Sequence, residues 1–331
     1  MNLTPEAKFA INAVREAGQL VRSVQAEMVT DALTKGDKSP VTVGDFAAQA
    51  VVAKRLADAL PGAQLVGEEK ADVLRSDSGS ETLAQVTKFV QSVIPEATPQ
   101  LVCDWIDSGC AEGGATGAFW TLDPIDGTKG FLRGDQYAVA LGLIENGKVT
   151  LGVLGCPELE NSVAPAKGGQ GSLLLATRGG GVQVVSLDQE SDEWKPLAAS
   201  PQTDPTQTRM LRSVEKGHTN LGAIDHLASA MRIAADPVGM DSQAKYAVLA
   251  AGGGEMIVRL LSPDRPDYRE KIWDQAAGSI VVEEAGGRVT DLDGKPLDFS
   301  QGRTLANNRG VIATNGPLHE AVLAGLREIG A

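Results

Sequence analysis

The sequence predicts a layered α/β fold built from two domains. The first observation is length, because at 331 residues a single hydrophobic core stops growing and a chain tends to divide into two packed units. The second is the dipeptide Asn146-Gly147 between the apolar runs 138–144 and 149–154, which indicates an antiparallel hairpin. The third is the alternation of helical and strand patterns beyond residue 185, which is typical of layered α/β architecture.

The elements of the first half follow from patterning in chain order. Thr4-Pro5 supplies an N-cap and a proline at the first helical position, and apolar residues then recur at spacings of three and four, which predicts an amphipathic opening helix. A second helix is predicted over 45–60, where a Pro-Gly pair follows it. Short apolar runs predict strands at 64–66 and 119–122.

Turn-forming residues mark the remaining features of this half. Within the stretch 71–118, the serine- and glycine-rich segments 76–80 and 109–117 predict loops that we expect to be mobile. The apolar runs 172–176 and 182–185, which flank three glycines, predict a further hairpin.

Beyond a polar, proline-containing stretch at 187–208, strand and helix patterns alternate again. We therefore place the domain boundary near residue 185, with an N-terminal domain at 1–185 and a C-terminal domain at 186–331. The predicted elements of the second half are a strand at 211–214, helices at 221–231 and 242–251, a strand at 256–261 and a helix at 273–285.

Composition restricts the partners and the compartment. The chain has 30 Lys and Arg against 43 Asp and Glu, a formal net charge of −13, so it repels nucleic-acid polymers and anionic membranes at long range. No apolar run approaches the roughly 20 residues that span a bilayer, and residues 1–14 do not resemble a secretory signal. Cys103, Cys110 and Cys156 lack the spacing of a disulfide framework or a zinc site. We therefore expect a cytoplasmic protein with three free thiols.

Residues 123–128, Asp-Pro-Ile-Asp-Gly-Thr, carry the clearest chemistry in the chain. Two carboxylates stand three residues apart at a strand end, the proline stiffens the turn, and the carbonyl of Ile125 is free to act as a third oxygen ligand. Gly127 permits close approach of a ligand, and Thr128 supplies a hydroxyl. If a helix begins here, its first amides attract phosphate. The segment therefore indicates a hard divalent metal ion beside a phosphate.

Other interpretations of these carboxylates stay open at this point. The segment 123–128 is also compatible with a simple capped turn. A haloacid-dehalogenase phosphatase site needs two aspartates two residues apart, a spacing present only at 291–294, where the flanking polar residues indicate a turn. Glu68 and Glu69 alone are typical of a solvated loop, and Asp274 alone is typical of a helix start.

The order of these segments along the chain is more specific than any one of them. Residues 67–69 read Gly-Glu-Glu, residues 120–128 read Trp-Thr-Leu-Asp-Pro-Ile-Asp-Gly-Thr, and Trp-Asp at 273–274 is followed by Glu-Ala-Gly-Gly at 284–287. This arrangement resembles the three signature blocks of the lithium-sensitive, magnesium-dependent phosphatases related to inositol monophosphatase and fructose-1,6-bisphosphatase. The resemblance spans nearly the whole chain.

Three further segments narrow the resemblance within that superfamily. Residues 37–42 (Asp-Lys-Ser-Pro-Val-Thr), 129–134 (Lys-Gly-Phe-Leu-Arg-Gly) and 241–246 (Asp-Ser-Gln-Ala-Lys-Tyr) resemble the 3′(2′),5′-bisphosphate nucleotidases, whereas inositol monophosphatases generally lack these insertions. Gln275 stands where close relatives often have His, a departure that concerns substrate preference and not the metal ligands. The resemblance implies the sugar-phosphatase fold, an αβαβα sandwich of two domains, with its site at the junction of the halves.

The resemblance also implies roles for individual residues. The positions that match the family's metal ligands are Glu68, Asp123, Asp126, Asp274 and the carbonyl of Ile125. The positions that match the water-activating groups are Asp45 and Thr128, with Glu69 tuning the same water network. The positions that match substrate contacts are Gly127, Thr128, His218, Ser242, Lys245 and Arg259.

The activity that the resemblance implies is hydrolysis of the 3′-phosphate of adenosine 3′,5′-bisphosphate to AMP and phosphate, with 3′-phosphoadenylyl sulfate as a further substrate. An activated water would attack in line beside about two or three Mg²⁺ ions, and Li⁺ would inhibit. The partner would be this small bisphosphate, a by-product of sulfate transfer, and the chain would act as a monomer or a homodimer. Two alternatives stay open: an inositol polyphosphate 1-phosphatase or inositol monophosphatase on the same fold, and a non-catalytic nucleotide-binding sensor.

Overall fold

A computed structural model defines the architecture. The described residues are 3–29, 39–160, 164–165, 169–189, 193–214 and 220–331. His218, predicted as a substrate contact, lies outside the described residues, as do Asp37 and Lys38 at the start of the segment 37–42.

The opening helix forms where the sequence predicts it. In α1 (Pro5–Val24), the Thr4 hydroxyl accepts a hydrogen bond from Ala7 N at 3.2 Å, and a proline occupies the first helical position. A π-helical turn, Gln25–Val29, continues the helix. The other α-helices are α2 (Ser39–Ala59), α3 (Ser80–Gln91), α4 (Pro99–Asp107), α5 (Thr128–Arg133), α6 (Leu221–Ala230), α7 (Ala244–Ala250), α8 (Ala276–Glu284) and α9 (His319–Ile329).

Two helices occupy a stretch where the sequence pattern predicts only loops. The loop expected at 76–80 is partly wrong, because residues 77–79 form a single 3₁₀ turn and α3 begins at Ser80. α4 begins at a Thr-Pro pair, where the hydroxyl of Thr98 accepts a hydrogen bond from Leu101 N at 3.3 Å. Serine and threonine favour helix caps as strongly as loops, so composition alone does not separate the two outcomes.

A seven-stranded sheet forms the centre of the molecule, in the order β1-β2-β3-β4-β7-β8-β9. β1 pairs with β2 in parallel, and every other neighbouring pair is antiparallel. The strands are β1 (Gln64–Gly67), β2 (Ala118–Asp126), β3 (Ala138–Glu145), β4 (Lys148–Cys156), β7 (Ser172–Thr177), β8 (Gly181–Ser186) and β9 (Lys195–Pro196). The intervening β5 (Leu159–Glu160) and β6 (Ala164–Pro165) pair with each other.

Both predicted hairpins are confirmed. β3 and β4 meet at Asn146-Gly147, whose φ angles of 51° and 74° belong to the left-handed region that a tight hairpin turn with right-handed strand twist requires. β7 and β8 pair in register across residues 178–180.

A smaller antiparallel sheet, in the order β12-β14-β13, forms the fourth layer. α8 lies between the two sheets, while α1 and α2 cover the outer face of the large sheet and α6 and α9 cover the small one. The result is the αβαβα sandwich that the sequence implies. The strands of this half are β10 (Leu211–Arg212), β11 (Val238–Gly239), β12 (Met256–Arg259), β13 (Arg288–Thr290) and β14 (Val311–Thr314).

Side-chain alternation along the strands divides the core into layers. On β2, Trp120 and Leu122 are buried towards α1 and α2, whereas Phe119 is buried towards α7 and α8. Gly152 allows β4 to lie unusually close to α8, because a Cβ at this position would stand 2.5 Å from Ile280 Cγ2. The end of β2 is therefore held between tightly packed layers.

The predicted boundary near residue 185 falls late in the large sheet. β8 pairs with β9, so the sheet receives a short strand from beyond the boundary. The division into domains at 1–185 and 186–331 stays a prediction.

Cys103, Cys110 and Cys156 are free thiols, as the sequence predicts. Among the described helices, none combines the length and the apolar composition that crossing a membrane requires.

Candidate active site

The end of β2 brings two carboxylates to one place. Asp123 pairs with Ala140 and Asp126 with Ala138, so the strand carries one extra residue, a β-bulge, between the two aspartates. In a regular strand, residues three apart face opposite sides, and the extra residue cancels that alternation. Both side chains consequently line the same cavity. Ile125 also borders this cavity, and its side chain packs in the core close to Gly44 of α2.

Gly127 connects the bulge to a short helix. Its φ of 93° lies in the left-handed region, and a Cβ there would stand 2.7 Å from the Cβ of Ser242. α5 then begins at Thr128, so the Thr128 main chain and side chain border the cavity directly after the two aspartates. The sequence prediction that a helix starts here is confirmed.

Parallel pairing of β1 with β2 places Glu68 beside Asp123. Gly67 is the partner of Leu122, and the next residue on each strand is the carboxylate. Gln49 of α2 fixes the following turn, because its amide nitrogen donates to Glu69 O at 2.8 Å and its amide oxygen accepts from Glu69 N at 3.0 Å. The fully buried Gln49 is a supporting residue that the sequence motifs do not indicate.

Asp45 lies on α2 behind the two glutamates. Its side chain is buried, and this burial, followed by the charges of Glu69 and Glu68, raises its pKa well above the ordinary range. Neither Asp45 nor Glu69 is among the residues that border the described cavity, although both carboxylates lie near Glu68, which does.

Asp274 approaches from the other half of the molecule. The sequence predicts it inside a helix over 273–285, but α8 begins only at Ala276, and Asp274 lies in the preceding turn. Gln243 joins this turn to the β2 bulge: its main-chain N donates to Asp126 Oδ2 at 2.6 Å, and its side-chain amide donates to Trp273 O at 3.0 Å.

These residues border one cavity of about 410 Å³. It collects ten of the predicted site residues, namely Glu68, Asp123, Ile125, Asp126, Gly127, Thr128, Ser242, Lys245, Arg259 and Asp274. The sequence interpretation assigned no site role to the other residues that border it, although four of them belong to the segments that carry the resemblance: Lys129, Gly130, Asp241 and Trp273, beside Ser213, Tyr268 and Lys271. Tyr268 is one of only three tyrosines in the chain and follows a polar loop, which is the one signal that marks it.

The acidic side of the cavity requires compensating positive charge. Burial raises the pKa of Glu68 to about 7, and the charges of Glu69 and Asp126 act in the same direction. Burial also raises the pKa of Asp123 and Asp274, with neighbouring carboxylates adding to the shift.

Asp123 Oδ1 is buried without a hydrogen-bond partner. Buried, crowded carboxylate oxygens with an unused acceptor are the donor set that a hard divalent cation prefers, so the residues fit such an ion. Within the described part of the chain no three His, Cys, Asp or Glu side chains already enclose a metal position, so the donors border an open cavity and do not form a closed cage.

Cationic side chains border the cavity next to the carboxylates. Lys245, on α7, is almost fully buried, and this burial lowers its pKa to about 8 although the charge of Asp126 opposes the shift. Arg259, at the end of β12, donates from Nη2 to Glu270 Oε2 at 2.8 Å. The buried Lys245 and the partly exposed Arg259 thus form a cationic wall of the cavity.

Two segments that resemble the bisphosphate nucleotidases meet beside this wall. Arg133 of the segment 129–134 pairs with Asp241 of the segment 241–246. Ser242 adopts a left-handed φ of 65°, and its hydroxyl accepts a hydrogen bond from Ala244 N at 3.1 Å, which starts α7. The Arg133–Asp241 pairing is a tertiary contact across 108 residues that holds the two segments together.

Comparison with known proteins agrees with this architecture. The inositol monophosphatase family profile matches residues 2–331. The chain belongs to this family. A relative from Schizosaccharomyces pombe named 3′(2′),5′-bisphosphate nucleotidase is 43% identical over 339 residues, covering 98% of this chain and 95% of the relative. A rice (Oryza sativa) protein of the same name is 41% identical over 340 residues, covering 98% of this chain and 94% of that protein.

Solved structures of other family members share the fold. Mycobacterium tuberculosis SuhB superposes with a TM-score of 0.62 at 21% identity, covering 97% of this chain and 95% of that one. An inositol monophosphatase from Anabaena (Nostoc) superposes with a TM-score of 0.62 at 19% identity, covering 97% and 94%. At these identities the likeness concerns the fold alone.

Proposed function

We propose that this family member is a Mg²⁺-dependent phosphatase that removes the 3′-phosphate of adenosine 3′,5′-bisphosphate, giving AMP and phosphate. The observation that carries the proposal is a single cavity bordered both by carboxylates and by two cations, Lys245 and Arg259. These two groups of residues match a substrate that has one phosphate to be cleaved and a second phosphate to be bound. The names of the full-length relatives support the same substrate class.

We assign the residues different roles according to their positions. Glu68, Asp123, Asp126, Asp274 and the carbonyl of Ile125 would hold the metal ions. Bound Mg²⁺ would stabilise charge on the phosphoryl oxygens and lower the pKa of water. Thr128 orients the attacking water and the buried Asp45 accepts its proton, with Glu69 as the neighbouring acidic group.

The second phosphate and the nucleoside bind beside the cationic residues of the cavity. Lys245 and Arg259 neutralise that phosphate, while Gly127 and Ser242, which pack against each other, border the cavity beside them. His218 belongs to the same proposed set and lies outside the described residues. We also propose about two or three Mg²⁺ ions, inhibition by Li⁺, activity on 3′-phosphoadenylyl sulfate, and a cytoplasmic monomer or homodimer.

A substrate panel tests the proposal. Phosphate release is measured from adenosine 3′,5′-bisphosphate, inositol 1,4-bisphosphate and inositol 1-phosphate, with and without Mg²⁺ and Li⁺. We expect the highest kcat/KM for the nucleotide, no turnover in EDTA, and inhibition by Li⁺. A preference for an inositol phosphate would show that the proposed substrate is wrong, while the proposed metal-dependent hydrolysis would stand. Nucleotide binding without turnover of any substrate would identify a sensor instead of an enzyme.

A further inference from the structure

Arg259 is held at the cavity by a carboxylate that does not border it. Glu270 is 4% exposed, lies outside the cavity lining, and accepts a hydrogen bond from Arg259 Nη2 at 2.8 Å through Oε2. Its main-chain oxygen accepts from Leu305 N at 2.9 Å, which fixes the backbone at this position. The ion pair is therefore anchored from behind the cavity wall.

A chain of buried hydrogen bonds continues from this pair. Gln275 Nε2 donates to the same Glu270 Oε2 at 3.0 Å, and Gln275 Oε1 accepts from the Tyr246 hydroxyl at 2.6 Å. Gln275 and Tyr246 are 0% and 2% exposed. Buried polar networks of this kind hold their members in one arrangement, because any rotation leaves a desolvated group unpartnered.

Arg259 has competing partners close by. The charges of both Glu270 and Asp274 act on the guanidinium, and the charge of Arg259 acts in turn on Asp126. Arg259 Nε is buried without a hydrogen-bond partner. A guanidinium released from Glu270 would therefore turn towards carboxylates that the proposed function assigns to the metal ions.

We propose that Glu270 is a positioning residue that keeps Arg259 directed at the second phosphate of the substrate, and that Gln275 and Tyr246 brace it. The inference rests on the proposed function, because it assigns Arg259 to that phosphate. It also explains the amide at Gln275, because an amide donates to Glu270 and accepts from Tyr246 at the same time, whatever the pH. Glu270 thereby sets specificity for bisphosphates without touching them.

Glu270→Gln tests the role of the charge. The variant keeps the size of the side chain and an acceptor oxygen but loses the ion pair. We expect KM for adenosine 3′,5′-bisphosphate to rise about tenfold, the size of one charge-assisted contact, with kcat changed less than about twofold. KM for adenosine 3′-monophosphate, which has no 5′-phosphate, is expected to stay unchanged.

A matched control is available at the residue before β12. Glu255 is also buried, also pairs with an arginine, Arg209, and directly precedes β12, whose last residue is Arg259. Glu255→Gln removes an equivalent buried ion pair away from the cavity. It is expected to lower Tm as much as Glu270→Gln does and to leave both KM values unchanged.

Tyr246→Phe tests the far end of the network. The variant loses the hydroxyl that donates a hydrogen bond to Gln275. We expect KM to rise about threefold for the bisphosphate and to stay unchanged for the monophosphate. Equal effects on the bisphosphate and the monophosphate, or an unchanged KM in Glu270→Gln, would overturn the inference. So would a lower KM, which would mean that Glu270 only competes with the phosphate for Arg259.

The two hypotheses fail in different ways. If the wild-type protein does not cleave adenosine 3′,5′-bisphosphate, the proposed function is wrong. Glu270 is then judged by calorimetric binding of inorganic pyrophosphate in Mg²⁺ buffer, where Glu270→Gln should bind at least about fivefold more weakly than wild type and Glu255→Gln equally well. Equal pyrophosphate binding by all three proteins would overturn the positioning role.

Discussion

Asp274 shows how much one residue depends on its surroundings. By itself it is a helix-start aspartate, which is the common role of that residue type. In the structure it lies two residues before α8, half-buried near Asp126 and Glu68, and its pKa is raised mainly by desolvation. The folded protein therefore carries an unfavourable charge here, which is typical of a functional and not a stabilising residue.

Asp274→Asn is expected to separate function from stability. Removing the charge relieves repulsion, so Tm in EDTA should rise by about 2 °C or more. Mg²⁺-dependent phosphate release should fall at least about 100-fold, because a proposed metal ligand is weakened. Differential scanning calorimetry and a phosphate assay measure the two effects. Asp72→Asn, which changes an exposed aspartate, is the control, and retained turnover in Asp274→Asn would contradict the metal assignment.

At the scale of elements, strands were more predictable than short helices. The β3–β4 hairpin is confirmed because Asn-Gly between two apolar runs has few alternative structures. α3 and α4 were missed because few apolar positions on a helix of 12 or 9 residues carry a weak periodic signal. The β2 bulge was also not predicted, since it depends on the register with β3.

The start of α9 contains a buried histidine that makes the fold sensitive to acid. His319 Nδ1 lies 3.0 Å from the Thr314 hydroxyl and Nε2 lies 2.9 Å from the Thr290 hydroxyl. Thr290 donates its proton to Asp291 O, so it accepts from Nε2, and the ring is neutral with an accepting Nδ1. Burial, followed by the charge of Arg288, lowers the pKa of His319 to about 4.

Stability is expected to fall as the pH drops from about 6.5 towards 4. The unfolded chain binds a proton at His319 below about 6.5, whereas the folded protein resists protonation until about 4, so the neutral-histidine contribution is complete only above the unfolded pKa. Between pH 7 and 5 this amounts to about 2 kcal/mol. His319→Gln should show a smaller loss of Tm over that interval than wild type. His226→Gln, on an exposed position of α6, should match wild type.

The contact between β4 and α8 gives a second prediction at this scale. Because a Cβ at Gly152 would stand 2.5 Å from Ile280 Cγ2 and 2.9 Å from Ala277 O, Gly152→Ala forces the layers apart. We expect a loss of about 1–3 kcal/mol, measured by urea unfolding at equilibrium. Gly179→Ala, where a Cβ meets nothing within 4 Å but φ is 75°, separates backbone strain from overpacking.

At the scale of the whole molecule, net charge and proposed substrate carry the same sign. A formal charge of −13 repels a bisphosphate, and part of that acidity lies in the cavity itself. Each divalent cation adds about +2 locally, so bound metal reverses the potential that the substrate meets. The same average field disfavours the approach of nucleic-acid polymers.

Metal removal is therefore expected to weaken substrate binding. In EDTA, the calorimetric Kd for adenosine 3′,5′-bisphosphate should exceed its KM in Mg²⁺ by at least about tenfold. Parallel titrations of AMP, a product that is not hydrolysed, compare the two buffers directly. Equal affinity for AMP with and without Mg²⁺ would show that Lys245 and Arg259 suffice for binding.

The sequence alone determined the features that depend on residues close together in the chain. Three features consist of residues that are neighbours in the sequence: the Asp-Pro-Ile-Asp-Gly-Thr segment, the Asn-Gly hairpin and the signature blocks. Their role can therefore be predicted without the tertiary structure. Only the tertiary structure decided which distant residues share the site. The register of β1 on β2 places Glu68 beside Asp123. The ion pair between Glu270 and Arg259 joins a loop to the end of β12. Such contacts depend on strand register and layer packing, for which spacing along the chain carries no signal.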